Sequence, residues 1–280
     1  MVFNSAAEAK LDITGLVNWE TMRLNTEVTL DLASANLRLP AGRTQGESLL
    51  IAGYSTLIRP HLLELPVDSS STLGDLVNRG DFFLTQVDVI ASGANALPPA
   101  MRPDMRTMTV QHSISLLNVS TSLLQHSRPS PAVRTLSPVT AANYTGIIII
   151  AAENLPVHGM RNSALPVPCL FPKIWDSEMN LIYDRNMLET RNSLMVRYSS
   201  LPNIFQSNPT GLSDELRQIV GDRPLRIFAR GVFGINPTDL IIDRNDALLI
   251  ISSEENRRLL SQGRVAIILD ESVLRYEFNN

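Results

Sequence analysis

The side chains best suited to chemistry in this sequence are four histidines, one cysteine and a short series of aspartates. The histidines, His61, His112, His126 and His158, lie far apart and show none of the His-x-x-x-His or Cys-x-x-Cys spacings that hold zinc. A metal centre is therefore not predicted. The sequence likewise predicts no catalytic or cofactor-binding residue and no cofactor.

The setting of each candidate favours a structural role over a chemical one. His112 falls on the apolar face of a predicted strand, which indicates a hydrogen-bonded core residue. His158 lies in the Pro- and Gly-containing loop 156–159, a place where functional groups are often presented, and is the most site-like histidine. Cys169 has apolar neighbours and no nearby base, which predicts a buried, inert thiol. A ligand pocket built around His158, Cys169 and Trp175 is the alternative.

Asp239, Asp243 and Asp246 suggest an oxygen site for calcium, but their spacing does not fit one. An EF-hand loop needs alternating acidic positions around a central glycine, and here the apolar residues 240–242 occupy the middle. These aspartates are interpreted as turn and cap groups that flank a buried strand. The segment 231–235 has two glycines but lacks the Lys-Ser/Thr of a phosphate loop, so it is predicted to be a turn.

Composition limits the class of protein. Of the 280 residues, 44% are hydrophobic and 19% are charged, which is ordinary for a globular chain. The net charge of −4 disfavours a duplex nucleic-acid binder, since phosphate binding needs a basic face. The sequence predicts neither a signal peptide nor an apolar stretch of the roughly 20 residues that span a bilayer. Membrane association is expected only through a lipid attached outside this sequence.

The first half of the chain combines strands and helices. Residues 24–32 alternate regularly, with Thr26 and the apolar Val28, Leu30 and Leu32 on one face and polar side chains on the other, which is typical of a half-buried strand. Thr72 and Gly80 carry the start and stop signals of a short helix. The predicted elements are a hairpin of 12–17 with 24–32, helices over 41–63 and 73–79, and strands over 82–91 and 107–116. The polar Thr- and Ser-rich side of the last strand predicts a sheet face open to water or to a polar partner.

The stretch 128–138 contains three prolines and predicts a joint between two lobes. The predicted division is an N-terminal strand/helix lobe, 1–128, a Pro-rich linker, 129–142, and a C-terminal α/β lobe, 143–280.

Short apolar runs in the second lobe predict buried strands. These runs are Ile147–Ile150, Leu225–Ala229, Leu248–Ile251 and Val265–Leu269. A capping box from Ser252 to Glu255 predicts a helix between the last two runs, which gives a strand–helix–strand unit. Ser213 is predicted to cap another helix that ends before Gly221.

The second half also resembles a known family. The matching segments are Tyr144–Ile150, Leu170–Asp176, Leu181–Tyr183, Pro224–Ala229, Thr238–Asp243 and Asn256–Ile268. In this order they are similar to the small bacterial envelope lipoproteins that include flagellar assembly lipoprotein P. The resemblance covers residues 143–270. It implies a periplasmic or cell-envelope location and a part in outer-membrane-associated flagellar rings or discs, without catalytic residues.

The sequence thus predicts an α+β fold with mixed and antiparallel sheets, one long helix, several short helices and two lobes. The predicted function is that of a non-catalytic structural protein that assembles with copies of itself or with other envelope or flagellar proteins. The open polar strand faces and the strand edges would serve as the contact surfaces. Two alternatives are a periplasmic ligand-binding module and an enzyme with an unrecognised site, which would hold His158 within about 3 Å of a carboxylate or hydroxyl group.

Overall fold

A computed structural model describes residues 11–124, 126, 128–131, 140–189 and 195–279. In the first half the elements are β1 (Leu11–Asn18), β2 (Arg23–Asp31), α1 (Gly42–Leu63), β3 (Pro66–Asp68), β4 (Ser71–Thr72), α2 (Leu73–Arg79), α3 (Leu84–Ser92), β5 (Asn95–Ala96), β6 (Ala100–Met101), β7 (Thr107–Ser115) and α4 (Leu116–Leu123). The predicted helix over 41–63 and the strand over 107–116 are confirmed within one residue.

In the second half the strands are β8 (Ile147–Ile150), β9 (Leu155–Pro156), β10 (Ser163–Ala164), β11 (Ile174–Asp176), β12 (Leu181–Tyr183), β13 (Arg197–Ser200), β14 (Leu225–Phe233), β15 (Asp239–Ile242), β16 (Val265–Leu269) and β17 (Arg275–Asn279). The α-helices are α5 (Asp214–Val220), α6 (Arg244–Ile251) and α7 (Glu254–Ser261). Short 3-10 helices cover Arg185–Met187, Leu201–Ile204 and Glu271–Val273. The predicted α+β class is confirmed.

Two large sheets organise these elements. The first is antiparallel in the order β17-β1-β2-β7-β5, with β6 also paired to β7. Helix α1 covers one face of this sheet. Its buried residues are spaced four apart and so form one apolar stripe along the helix: Leu50, Tyr54, Ile58 and Leu62. The second sheet is mixed, in the order β12-β11-β15-β14-β8-β16-β13.

The second sheet is covered on both faces around β8. Ile147 and Ile149 belong to the main core, whereas Ile148 faces a smaller cluster that includes Leu216 and Val220 of α5. This two-sided burial explains why the strand is a continuous apolar run. The main core also contains buried residues of the first sheet, so one continuous core joins the two lobes.

Backbone and side-chain contacts fix the lobes to each other. The N–H groups of Leu170 and Phe171 donate to the carbonyls of Pro66 and Val67 at 2.9 and 2.8 Å. Trp19 packs edge-on against Tyr198 with ring centroids 5.9 Å apart. The last strand, β17, pairs with β1 of the first sheet, although its residues lie within the predicted C-terminal lobe, 143–280. Much of the predicted linker, residues 132–139, lies outside the described residues.

One predicted strand is a helix. Residues 82–91 were expected to be extended, but α3 occupies Leu84–Ser92. Its start is fixed by the Gln86 side chain, which accepts the Phe83 N–H at 3.0 Å. Buried Val87 and Ala91, spaced four apart, then follow the helical period.

The second wrong strand prediction concerns Leu248–Ile251. These residues form the last turn of α6, which begins where the Asp243 carboxylate accepts the Asn245 N–H at 2.9 Å. The predicted strand–helix–strand unit is therefore two successive helices and a strand.

Two of the three predicted helix caps lie at the predicted residues, and the third cap and one predicted turn are shifted. The cap of α7 is Ser253, which accepts from the Asn256 N–H, and not the predicted Ser252. The caps at Thr72 and Ser213 are confirmed. The predicted turn at 231–235 begins later than expected, since β14 continues to Phe233.

Candidate functional site

His158 and Trp175 both contact the ring of Phe233. His158 is exposed, its N–H donates to the Val232 carbonyl at 2.8 Å, and its ring meets Phe233 edge-on at 6.0 Å. Trp175 meets the same Phe233 ring at 6.0 Å. The contact that would favour an enzyme, between the His158 ring and a carboxylate or hydroxyl group, is not found among the described residues. This loop is an aromatic packing site.

Cys169 is buried and chemically protected. The hydroxyl of Tyr198 donates to its carbonyl at 2.8 Å and accepts its N–H at 3.1 Å. Burial raises the pKa of the Cys169 thiol to about 12, so the thiol is protonated at neutral pH. The predicted burial is confirmed. Cavities of about 940, 410 and 200 Å³ among the described residues are lined by residues other than His158, Cys169 and Trp175, the residues of the alternative ligand pocket.

The other histidines are held by packing contacts. His112 is buried and stacks on Tyr54, with ring centroids 3.6 Å apart. The predicted core position is confirmed, whereas its Nδ1 has no hydrogen-bond partner among the described residues. Burial lowers the pKa of the imidazole. His61 stacks on Phe278 at 3.8 Å. The Nε2 of His126 lies 2.8 Å from the Leu188 carbonyl.

Asp239 has a role that sequence reasoning missed. The side chain is buried, and its carboxylate accepts the Ser69 hydroxyl at 3.0 Å, the Trp175 indole N–H at 3.3 Å and the Lys173 backbone N–H at 3.2 Å. Burial raises the pKa of this carboxyl group, because these neutral donors replace water only in part. Asp239 therefore joins a turn of the first lobe to the second sheet, and is not a turn or cap group.

Asp243 and Asp246 do take the expected helix-start positions. Asp243 caps α6, and Asp246 lies in its first turn. Among the described parts of the chain, no group of three or more His, Cys, Asp or Glu side chains is arranged to hold a metal ion.

The face of the first sheet opposite α1 carries a groove and a network of polar side chains. The groove, of about 940 Å³, runs across the strands of this sheet. Side chains from neighbouring strands are linked there: Ser113 donates to Asn25 at 2.7 Å and accepts from Arg23 at 3.2 Å. Glu27 binds both Arg102 and Gln111. The side of β7 that was predicted to be open to water or to a polar partner thus carries amide, hydroxyl and carboxylate groups that are held in place by hydrogen bonds.

Strand β17 forms one edge of this face. The Trp19 N–H donates to the Leu274 carbonyl at 2.9 Å, and the register that follows places Asn18 opposite Arg275. Because hydrogen-bonded pairs alternate along an antiparallel ladder, Tyr276 and Phe278 direct their backbone groups toward β1. Arg275, Glu277 and Asn279 direct theirs outward, and all three residues are exposed. Among the described residues, no strand pairs with this outer edge.

One aromatic contact attaches β17 to the rest of the sheet. Phe278 lies opposite Gly15 of β1, and a Cβ at Gly15 would fall 2.1–2.7 Å from three carbons of the Phe278 ring. The ring therefore occupies the space above the glycine backbone. His61 of α1 stacks on its other side. No sequence signal marks this arrangement, since it joins residues far apart along the chain.

Both halves of the chain match regions of one known protein. Residues 10–122 match the model of the Treponema pallidum Tp0624 N-terminal domain, and residues 146–271 match that of the Tp0624 second domain. The chain is thus similar to two domains of that protein. The two matches fall in the two predicted lobes. The search of curated proteins gives no match.

No helix among the described residues is long and apolar enough to cross a membrane.

Proposed function

We propose that this chain is a non-catalytic assembly protein of a bacterial cell envelope, and that it associates with a second copy of itself through β17. The outward backbone groups of Arg275, Glu277 and Asn279 are the observation that carries the proposal. Unpaired strand edges are templates for pairing with another chain. Proteins commonly block such edges with charged side chains, proline or a bulge. Strand β17 contains neither proline nor a bulge, and its two charged residues, Arg275 and Glu277, have opposite signs.

The charges of β17 favour one antiparallel register with a second copy. In an antiparallel pair of β17 strands, the residues whose backbone groups point outward must lie opposite each other. This allows Arg275 of each copy to face Glu277 of the other, and the two Tyr276 residues then lie side by side on the two-fold axis of the dimer. The pairing centred on Glu277 would instead bring two carboxylates together, and like charges directly opposite are destabilising. Arg275 also binds Glu20 at 2.8 Å, which restrains its side chain beside this edge.

The resemblance of residues 143–270 to envelope lipoproteins supports the periplasm or cell envelope as the location. A part in a flagellum-associated ring or disc rests on the same resemblance and makes other envelope or flagellar proteins further partners. The two-fold pair formed through β17 would then be the unit that such an assembly incorporates.

Sedimentation equilibrium of the full chain and two charge variants tests the proposal. The contact is short, so the wild type should dimerise weakly, with a Kd of about 10–100 μM. Glu277→Arg places arginines opposite each other at two positions, and about 1 kcal/mol per altered pair predicts roughly 30-fold weaker association. Arg275→Glu should weaken it in the same way. Glu271→Arg, the same charge change at an exposed residue outside β17, is the matched control.

Mixing the two variants gives the decisive result. A copy carrying Glu277→Arg and a copy carrying Arg275→Glu restore both opposite-charge pairs in this register, so the equimolar mixture should dimerise as tightly as the wild type, although each variant alone associates roughly 30-fold more weakly. A wild type that stays monomeric at all concentrations up to about 1 mM would overturn self-association. A dimer insensitive to both substitutions would overturn the role of β17.

A further inference from the structure

Two adjoining cavities open between the lobes, away from β17. The larger, of about 410 Å³, is lined from the first lobe by Asp68, Ser70, Ser71 and Arg79 and from the second by Arg185, among others. The smaller, of about 200 Å³, shares Asp68 and Arg185 with it and adds Lys173 and Asp184. We call these two cavities together the inter-lobe cleft. Its position between two fixed lobes is a common one for small-molecule sites.

Arg185 is preorganised but has no anionic partner among the described residues. Its guanidinium lies 5.3 Å from the centre of the Phe171 ring, a cation–π contact that fixes its direction. Among the described residues, it makes no hydrogen bond through its side chain and no ion pair. An arginine held this way at a cavity wall is suited to receive a carboxylate in two parallel hydrogen bonds.

Asp68 is the matching unneutralised acid. Its Oδ1 accepts both the N–H and the hydroxyl of Ser70, each at 3.0 Å. Its Oδ2 makes no hydrogen bond to a described residue. Although Asp68 and Arg185 line the same two cavities, they are not within the 4.0 Å of an ion pair, so a gap separates the two charges.

The charges of the described residues that line each cavity balance. Lys173 and Arg185 oppose Asp68 and Asp184 in the smaller cavity. In the larger one, Arg79 and Arg185 oppose Asp68 and Asp81. A ligand of one sign would therefore meet two side chains of the same sign in either cavity. A ligand with separated opposite charges would meet complementary groups at both ends.

We propose that the inter-lobe cleft binds a small zwitterion of the amino acid or short peptide class, with its carboxylate on Arg185 and its ammonium group on Asp68. The hydroxyls of Ser70 and Ser71 supply further polar contacts along the wall. Arg79 donates to Ser71 at 3.0 Å and holds that hydroxyl in place.

Isothermal titration calorimetry of the full chain with alanyl-alanine tests this inference. A ligand of about a dozen non-hydrogen atoms should bind with a Kd of about 0.1–1 mM. The N-acetyl form lacks the ammonium group and the C-terminal amide lacks the carboxylate, so each should bind at least about tenfold more weakly. Acetate tests for an adventitious anion site.

Variants assign each end of the ligand. Arg185→Gln should weaken alanyl-alanine about tenfold and remove the difference between it and its amide, whereas Asp68→Asn should remove the difference between it and its N-acetyl form. Arg223→Gln, an exposed arginine that lines neither cavity, is the control. Unchanged unfolding midpoints show that the variants are folded. Absence of saturable binding up to about 10 mM, equally tight acetate binding, or variants that keep both differences would overturn the proposal.

Discussion

Replacing Gly15 with alanine tests how β17 is attached to the first sheet. The new methyl group would lie 2.1–2.7 Å from three ring carbons of Phe278. The ring cannot simply move away from Gly15 at no cost, since His61 of α1 stacks on its other side with ring centroids 3.8 Å apart. Either the strands separate locally or the ring leaves its position.

The expected change in the free energy of unfolding of Gly15→Ala is the sum of opposing effects. Alanine in a strand interior is normally better than glycine by about 0.5–1 kcal/mol, because glycine loses more backbone freedom on folding. Overpacking a filled site costs about 1–3 kcal/mol, and a displaced ring would also lose an aromatic contact of about 0.5–1.5 kcal/mol. We therefore expect Gly15→Ala to lower the free energy of unfolding by about 1–2 kcal/mol.

Urea denaturation measures the change, and hydrogen exchange locates it. The amides of Tyr276 and Phe278, which point toward β1, should exchange faster in the variant. Gly53→Ala is the control, because its methyl group meets only the flexible end of Leu11 and removes a glycine from a helix. That control should stabilise the protein by up to about 1 kcal/mol. Equal stabilities of the Gly15→Ala variant and the wild type would refute the role of the ring.

Three further predictions concern the interior and one helix cap. The raised pKa of Asp239 means that the folded state holds the carboxyl proton more tightly than the unfolded state does. The free energy of unfolding should therefore fall as pH rises from about 4 through the raised pKa. Urea titrations at several pH values should show this fall in the wild type and not in Asp239→Asn. Cys169 should react with a thiol reagent only after unfolding, and prompt modification of the native protein would contradict its burial. Ser253→Ala should lower the melting temperature through loss of a cap worth about 1 kcal/mol, whereas Ser252→Ala, which removes a buried hydroxyl without a partner, should not.

Local patterns predicted much of the fold. The alternation of 24–32 fixes β2 because each apolar residue there lies on the face covered by α1. The capping box at Thr72 likewise begins α2, and burial of Val28 and Leu30 agrees with the pattern. The apolar composition of Leu248–Ile251 led to a wrong strand prediction. These residues form the last turn of a helix, because the cap at Asp243 and the core contacts of that helix outweigh the β propensity of the segment.

The candidate sites could be predicted only in part. The polar side of β7 indicated an open sheet face, which the structure contains. The outer edge of β17 and the inter-lobe cleft could not be predicted, because both depend on pairings between distant parts of the chain. Asp68 and Arg185 come to line the same cavity only when the two lobes pack together.

The position of β17 in the first sheet also bears on synthesis. The ribosome completes β1 and β2 long before it reaches Arg275, with the whole second lobe translated between them. Until then, β1 has no neighbour on its outer side among the described strands and offers a bare edge to the surrounding solution. Such late, long-range closure slows folding and lengthens the period in which the nascent chain is open to aggregation. A chaperone that covers β1 during translation would therefore increase the yield of native protein.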